Sequence, residues 1–176
     1  EVTVALNGDG GDESFAGYDR YLANKMANIY KLIPLFLRKN ISSLAEKLPE
    51  STRKKDFVKN LKRFIKATDF FQERRYAYWM STFDNEMKGN LYSEELKNRL
   101  RDIDSCDYLL NVYKQSDAED FIDSTLFVDI MTYLPNDLLV KVDIASMANS
   151  LEARSPFLDH KLMEFAASIP PSLKLR

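Results

Sequence analysis

The stretch LNGDGGDESFAGYDRY, residues 6–21, holds four of the chain's five glycines and four carboxylates, Asp9, Asp12, Glu13 and Asp19. It follows Val2, Val4 and Leu6, which alternate with Thr3 and Ala5. That short β-branched run, without charge at any position, predicts a strand buried on both faces, the one convincing strand of the chain. From Asp12 onward Phe15, Tyr18, Leu22 and Met26 recur at three- and four-residue steps, which predicts a helix starting at Asp12 or Glu13. A strand, a glycine turn and a helix N-terminus in succession present backbone N–H groups to which phosphate oxygens bind well. Glu13 occupies the third glycine position of G-x-G-x-x-G, and no Gly-Lys-Ser/Thr follows, so neither common phosphate motif is met. Counted from Asn7, the fifth and twelfth places of an EF-hand would be Gly11 and Tyr18, which excludes that loop. Asp9, Asp12 and Glu13 would repel a phosphate unless a cation such as Mg²⁺ intervenes; the plainer alternative is that Asp12 or Glu13 only caps its helix.

The remainder reads as short helices. Phe57, Val58, Leu61, Phe64 and Ile65 form an apolar stripe flanked by Lys55, Lys59, Lys62, Arg63 and Lys66. Phe70, Phe71, Tyr76, Tyr78 and Trp79 read as packing aromatics before they read as a base-stacking platform. Ser116-Asp-Ala-Glu119 matches a capping box and predicts a helix from about residue 117 to before Pro135, with Phe121, Ile122, Leu126, Ile130 and Met131 on one face. Asp137 is expected to cap the next helix, which runs towards Asn149. EARSPFLDH reads as a connection, and Asp159 as the cap of a last helix ended by Pro170-Pro171. The expected fold is mainly α with a remnant of one or two parallel strands from an α/β nucleotide-binding sheet, in a single domain over residues 1–176. Such a remnant exposes an apolar sheet edge, which makes a homo-oligomer possible.

Composition excludes several functions. Net charge is −2, so the chain has no overall pull towards nucleic acid or anionic lipid. The local runs, ten Lys or Arg against three acids over 38–66 and eight acids against Lys114 over 102–129, read as solvated helix faces. Cys106 and His160 are single, which excludes an internal disulfide and a Cys/His zinc cluster. No apolar stretch approaches a membrane span and the first residues lack the basic start of a signal peptide, so a cytoplasmic location is expected.

ALNGDGGDESFAGYDRY resembles the loop of glutamine-dependent asparagine synthetases, usually L-S-G-D-G-G-D-E-x-F-x-G-Y. YLPNDLLVKVDIASMANSLEARSPFLDHKLMEFAASIPPSLKLR resembles the same family almost residue for residue, whereas residues 25–115 match only in size and composition. The resemblance implies an adenine nucleotide alpha hydrolase-like (PP-loop ATPase) synthetase domain that uses ATP and Mg²⁺. It adenylates the side-chain carboxylate of aspartate, and ammonia released from glutamine then attacks the β-aspartyl-AMP. By this resemblance Asp9 is the acid that holds ammonium and accepts its proton. Asn7, Gly8, Gly10 and Gly11 lie near the nucleotide, and Asp12 and Glu13 near the metal. Glu152, Arg154, Tyr18, Lys141 and Asp143 are assigned to substrate binding, although a structural ion pair explains Glu152 with Arg154 equally well and a helix-surface pair explains Lys141 with Asp143. Related β-lactam-forming enzymes carry tyrosine at the Asp9 position, so Asp9 favours external ammonia. Three positions depart from the family: Asn7 for serine, Ala16 for a frequent glycine and Ile144 for a common arginine. The family's S-G-G-x-D-S loop, its R-P-K-x-G-F lysine and its glutaminase domain have no counterpart in these residues. The expectation is therefore a central piece of the synthetase domain, an excised fragment that does not make asparagine by itself.

Overall fold

The computed structural model describes residues 2–49 and 57–175. Along the chain these form β1 (Val4–Leu6), α1 (Gly11–Phe15), α2 (Asp19–Tyr30), α3 (Leu35–Glu46), α4 (Phe57–Ala67), α5 (Gln72–Met80), α6 (Asn85–Leu91), α7 (Glu94–Arg99), α8 (Asp107–Tyr113) and α9 (Phe121–Met131). A π-helical stretch, Leu134–Leu139, then leads into α10 (Val140–Met147), β2 (Glu152–Arg154), α11 (His160–Ser168) and α12 (Pro171–Lys174), with a 3₁₀ turn at Pro156–Leu158. The protein is mostly helical, with two parallel strands paired Val4 to Glu152, Ala5 to Ala153 and Leu6 to Arg154. Backbone packing divides it into two compact units, residues 1–21 with 111–176, and residues 22–110. No helix among the described residues is long and apolar enough to cross a membrane.

The first unit is organised on α9. A helix with polar residues on one side normally leaves that side in water, yet Ile122, Ser124, Thr125, Leu126, Val128 and Asp129 of α9 are all buried. The single apolar face expected from the sequence is thus replaced by burial nearly all round. Two threonine hydroxyls satisfy themselves on the helix, Thr125 Oγ1 donating to Phe121 O at 2.8 Å and Thr132 Oγ1 to Val128 O at 2.6 Å, while Ser124 Oγ donates to Ala118 O at 3.3 Å. The Lys174 side chain, only 2% exposed, reaches Asp123 at 2.9 Å and ties α12 to α9. Ser14 of α1 is buried, and its hydroxyl finds no partner among the described residues. Removing an unsatisfied buried hydroxyl costs nothing, so Ser14→Ala is expected to raise unfolding free energy by about 1 kcal/mol in denaturant titration.

Several local expectations are corrected. The helix expected from Asp12 breaks at Ala16, which adopts φ 59° and lets Gly17 N–H return to Asp12 O at 3.0 Å, so Phe15 ends α1 and Tyr18 lies in the connection before α2. α9 starts at Phe121 rather than near 117. Asp120 Oδ1 accepts from Ile122 N at 2.7 Å, whereas Ser116 Oγ accepts from Ala118 N in a local turn and donates to Ser124 Oγ at 3.4 Å, capping no helix. Asp137 caps nothing: the backbone is already helical at Tyr133, and Pro135 enters the first π turn, where its missing N–H is not needed. Asp159 does cap α11, accepting from Lys161 N and Leu162 N. β1 is not buried on both faces. Val4 is 41% and Leu6 74% exposed, and among the described residues the sheet has only two strands.

In the second unit α3 packs on α4 and α4 on α5. Of the predicted α4 stripe Ile65 is buried and Val58, Leu61 and Phe64 are half-buried, but Phe57 at the helix start is 76% exposed; Lys55 lies outside the described residues. Tyr76 is 1% exposed, and Phe64 stacks on Trp79 with ring centres 6.1 Å apart, so these aromatics pack, whereas Phe71 is 83% exposed, against the packing role expected of it. Arg75 is wholly buried and donates to Asn24 Oδ1 at 2.7 Å and Asn28 Oδ1 at 2.8 Å, with burial holding its guanidinium pKa below the ordinary value.

Candidate functional site

The parallel pairing of β1 and β2 brings two carboxyl-terminal strand ends side by side, the place where open α/β sheets gather ligands. The ladder continues one residue further, Asn7 N–H donating to Arg154 O at 2.9 Å. Asn7 and Ser155 therefore face each other just beyond the sheet. Ser155 Oγ donates to Asn7 Oδ1, and Asn7 Nδ2 donates to Asp9 Oδ2 at 2.8 Å. This relay fixes the Asp9 carboxylate from the β2 side. Among the described residues Asp9 Oδ1 has no hydrogen-bond partner. Ser155, read from the sequence only as part of a connection, is thus a positioning residue. Its signal was available only as a polar residue directly after a strand that the sequence did not announce.

Beside Asp9 lies a cavity of about 410 Å³, lined by Asn7 and Asp9 from the loop, Ala153, Ser155 and Leu158 from β2 and its following turn, and Leu139, Val140, Val142 and Asp143 from the π-helix and α10. Two carboxylates, Asp9 and Asp143, thus share a cavity with an otherwise mainly apolar wall. Ala153 and Ser155 face it, so strand alternation directs Glu152 and Arg154 away. Those two form an ion pair at 2.7 Å in solvent, with Glu152 pushing the Arg154 pKa up. Lys141 is likewise outside, 3.9 Å from Asp137 on the helix surface. Ile144 is 65% exposed.

The glycines play different parts. Gly10 adopts φ 87°, and a Cβ there would overlap the Leu158 side chain. Gly10→Ala is accordingly expected to cost about 1–2 kcal/mol in chemical denaturation, where an alanine at exposed Gly89 would be tolerated. Gly11 sits against the Phe157 ring and donates its N–H to Gly8 O at 3.2 Å, closing the turn. Gly8 has open space where a side chain would be. At Gly17 a Cβ would collide with the Asp12 carboxylate, so this glycine lets Asp12 lie against the backbone.

Glu13 and Tyr18 belong to a different arrangement. Glu13 is 1% exposed and accepts a hydrogen bond from Tyr18 OH at 2.6 Å. Burial first, and then this bond, pushes the phenol pKa far above its ordinary value, so Tyr18 remains a donor at any physiological pH. The Arg20 guanidinium lies 3.8 Å from the centre of the Tyr18 ring and pairs with buried Asp129 at 2.8 Å, and Tyr21 OH also donates to Asp129. The structure thus places Glu13 and Tyr18 in a network that anchors the loop to α9. Asp12 is exposed at the start of α1. Among the described residues no group of three or more His, Cys, Asp or Glu side chains gathers as a metal cage. Cys106 is half-buried, and desolvation raises its thiol pKa, the opposite of an activated nucleophile.

The asparagine synthase family model matches residues 1–176. The chain is 33% identical over 175 residues to asparagine synthetase [glutamine-hydrolyzing] 1 of Bacillus subtilis, covering 99% of this chain and 26% of the relative. It is 31% identical over 174 residues to a putative asparagine synthetase [glutamine-hydrolyzing] of Mycobacterium tuberculosis, covering 99% and 25%. A match at 24% identity over 193 residues, covering 99% and 27%, is to amidase chry2 of Gibberella zeae. The chain spans about a quarter of the length of these curated relatives. No solved structure matches it.

Proposed function

We propose, since this chain belongs to the asparagine synthase family, that it is the central part of the synthetase domain of an ATP-dependent amidotransferase. In this reading the enzyme adenylates the side-chain carboxylate of aspartate and replaces AMP by ammonia drawn from glutamine, giving asparagine, AMP and pyrophosphate. The observation that carries it is the Asp9 carboxylate, held by Asn7 beside a cavity at the ends of two parallel strands. A cavity of about 410 Å³ is within the range of small-molecule sites, about 300–1,000 Å³. The uncovered backbone at Gly8 fits the approach of a phosphate, and the exposed carboxylate of Asp12 fits a hard cation that keeps most of its ligands from water and phosphate. Bound ATP would supply the activation of the carboxylate and Mg²⁺ the neutralisation of its phosphates.

The chain's own contribution is to nitrogen. With Oδ2 held by Asn7, Asp9 presents Oδ1 to an ammonium ion, and Asp143 in the same cavity adds negative potential. A proton passes from ammonium to Asp9 Oδ1, the freed nitrogen lone pair attacks the acyl carbon, and as the bond to the AMP oxygen breaks the added nitrogen gives its surplus proton to the departing AMP phosphate or to water. The apolar wall of Leu139, Val140 and Val142 limits competition from water. The PP-loop fold of the whole domain and a cytoplasmic location belong to the same proposal.

The assay is asparagine, AMP and pyrophosphate formation by the complete protein from aspartate, ATP, Mg²⁺ and ammonium. Equal amounts of all three are expected. Amidation of a different carboxylate acceptor, with aspartate inert, would transfer the mechanism to a sibling reaction. Nucleic-acid binding through the aromatic segment has little support, because Tyr76 is buried and Trp79 is stacked on Phe64.

A further inference from the structure

A second cavity lies within the helical unit of residues 22–110. It is a groove of about 680 Å³ between α3, α4 and the segment that follows α5. Six cations line it, Arg38, Lys39, Lys59, Lys62, Arg63 and Lys66, against Glu46, Asp69 and Asp84. Some of that charge is already used. Arg63 donates to the carbonyls of Trp79 at 2.9 Å and Ser81 at 2.8 Å, closing the end of α5, and Lys66 pairs with Asp84 and Glu86. The rest is not. Among the described residues Arg38 spends only Nε, on Ile33 O, and Lys39 and Lys59 have no acidic partner. Tyr30, whose ring packs edge-on against Phe64, also lines the groove. Its hydroxyl oxygen is buried and has no partner among the described residues, although the Arg38 charge acts on it.

A tyrosine whose buried hydroxyl lacks a partner, a guanidinium with its outer edge unspent and two exposed ammonium groups line one concave surface. We propose that this groove binds a small polyanion carrying two or more phosphate groups. Phosphate oxygens accept from all three donor types, and Arg38 offers the planar fork that suits them. A single carboxylate would leave most of the charge uncompensated. A nucleic-acid strand would need exposed rings for its bases, and the rings lining the groove, Tyr30 and Tyr78, pack on Phe64 and Phe70.

The test is calorimetric titration of the complete protein with inorganic triphosphate, using Lys39→Glu/Lys59→Glu and, as a milder pair, Lys39→Ala/Lys59→Ala, both checked for native circular dichroism. Binding that weakens on adding salt is expected, with a loss of about tenfold or more in the charge-reversed pair, a smaller loss in the alanine pair and no change in Asp9→Asn. Equal affinity in all lysine variants, or loss only in Asp9→Asn, would place the triphosphate at the Asp9 cavity and overturn the proposal. Tighter binding of a single-stranded RNA oligomer that depends on the same lysines would replace the small polyanion by nucleic acid.

Discussion

Asp9→Asn in the complete protein is expected to lower ammonia-dependent asparagine formation by about 10²–10⁴-fold while leaving glutamine hydrolysis unchanged. The size follows from the chemistry. Asparagine is nearly isosteric with aspartate and can still meet Asn7, so the loop keeps its shape, but a carboxamide neither holds ammonium by charge nor accepts its proton. Raising ammonium should not restore the rate, because the missing step is proton removal and not occupancy alone. Steady-state assays of the two half-reactions on one preparation check this. Equal loss of both would make Asp9 a structural residue. Ser155→Ala is expected to act in the same direction but less strongly, since it removes the donor behind Asn7 and leaves the carboxylate in place.

The second large effect is on stability. Asp129→Ala is expected to cost about 3 kcal/mol in unfolding free energy, because breaking a buried pair from one side strands its partner. Asp129 is 1% exposed and accepts from Arg20 and from Tyr21 OH, so its removal leaves a guanidinium and a phenol without their acceptor. Asp129→Asn, which can still accept from Tyr21, should lose less. Replacing both partners, Asp129→Leu with Arg20→Met, should recover part of the loss, and a double-mutant cycle in urea measures the coupling. The consequence reaches the loop, because Arg20 also lies over the Tyr18 ring and Tyr18 holds Glu13. Loss of this anchor is expected to loosen α1 and lower synthetase activity along with stability, unlike Asp9→Asn, which should leave stability intact.

Features legible in the sequence were those that a single residue dictates. Gly10 announced a backbone turn because only glycine takes φ 87° there without strain, and Asp159 announced α11 because its carboxylate meets the first free N–H groups. What depends on a distant partner was hidden. β2 is Glu-Ala-Arg, three residues with charged ends that show no strand pattern and become a strand only by pairing with β1. The π-helical stretch from Leu134 carries no compositional mark, yet it leads directly into Val140, Val142 and Asp143 on the cavity wall. Ser116 matched a capping box that Asp120 supersedes, since four residues decide a local motif while the packing of α9 decides where its helix begins. Among the site candidates, Asp9 and Asn7 meet at the cavity with Asp143. Glu152, Arg154 and Lys141 turn to solvent, and alternation along β2 could reveal that only once the strand was known.

Aspartate-dependent exchange of labelled pyrophosphate into ATP, measured on the complete protein with and without Asp9→Asn, tests most directly whether an activated acyl group forms beside this carboxylate. Exchange that requires aspartate and persists in the variant is the predicted result, because activation of the acid precedes the step that needs Asp9. Absence of exchange in the unaltered protein, or exchange indifferent to aspartate, would contradict the account.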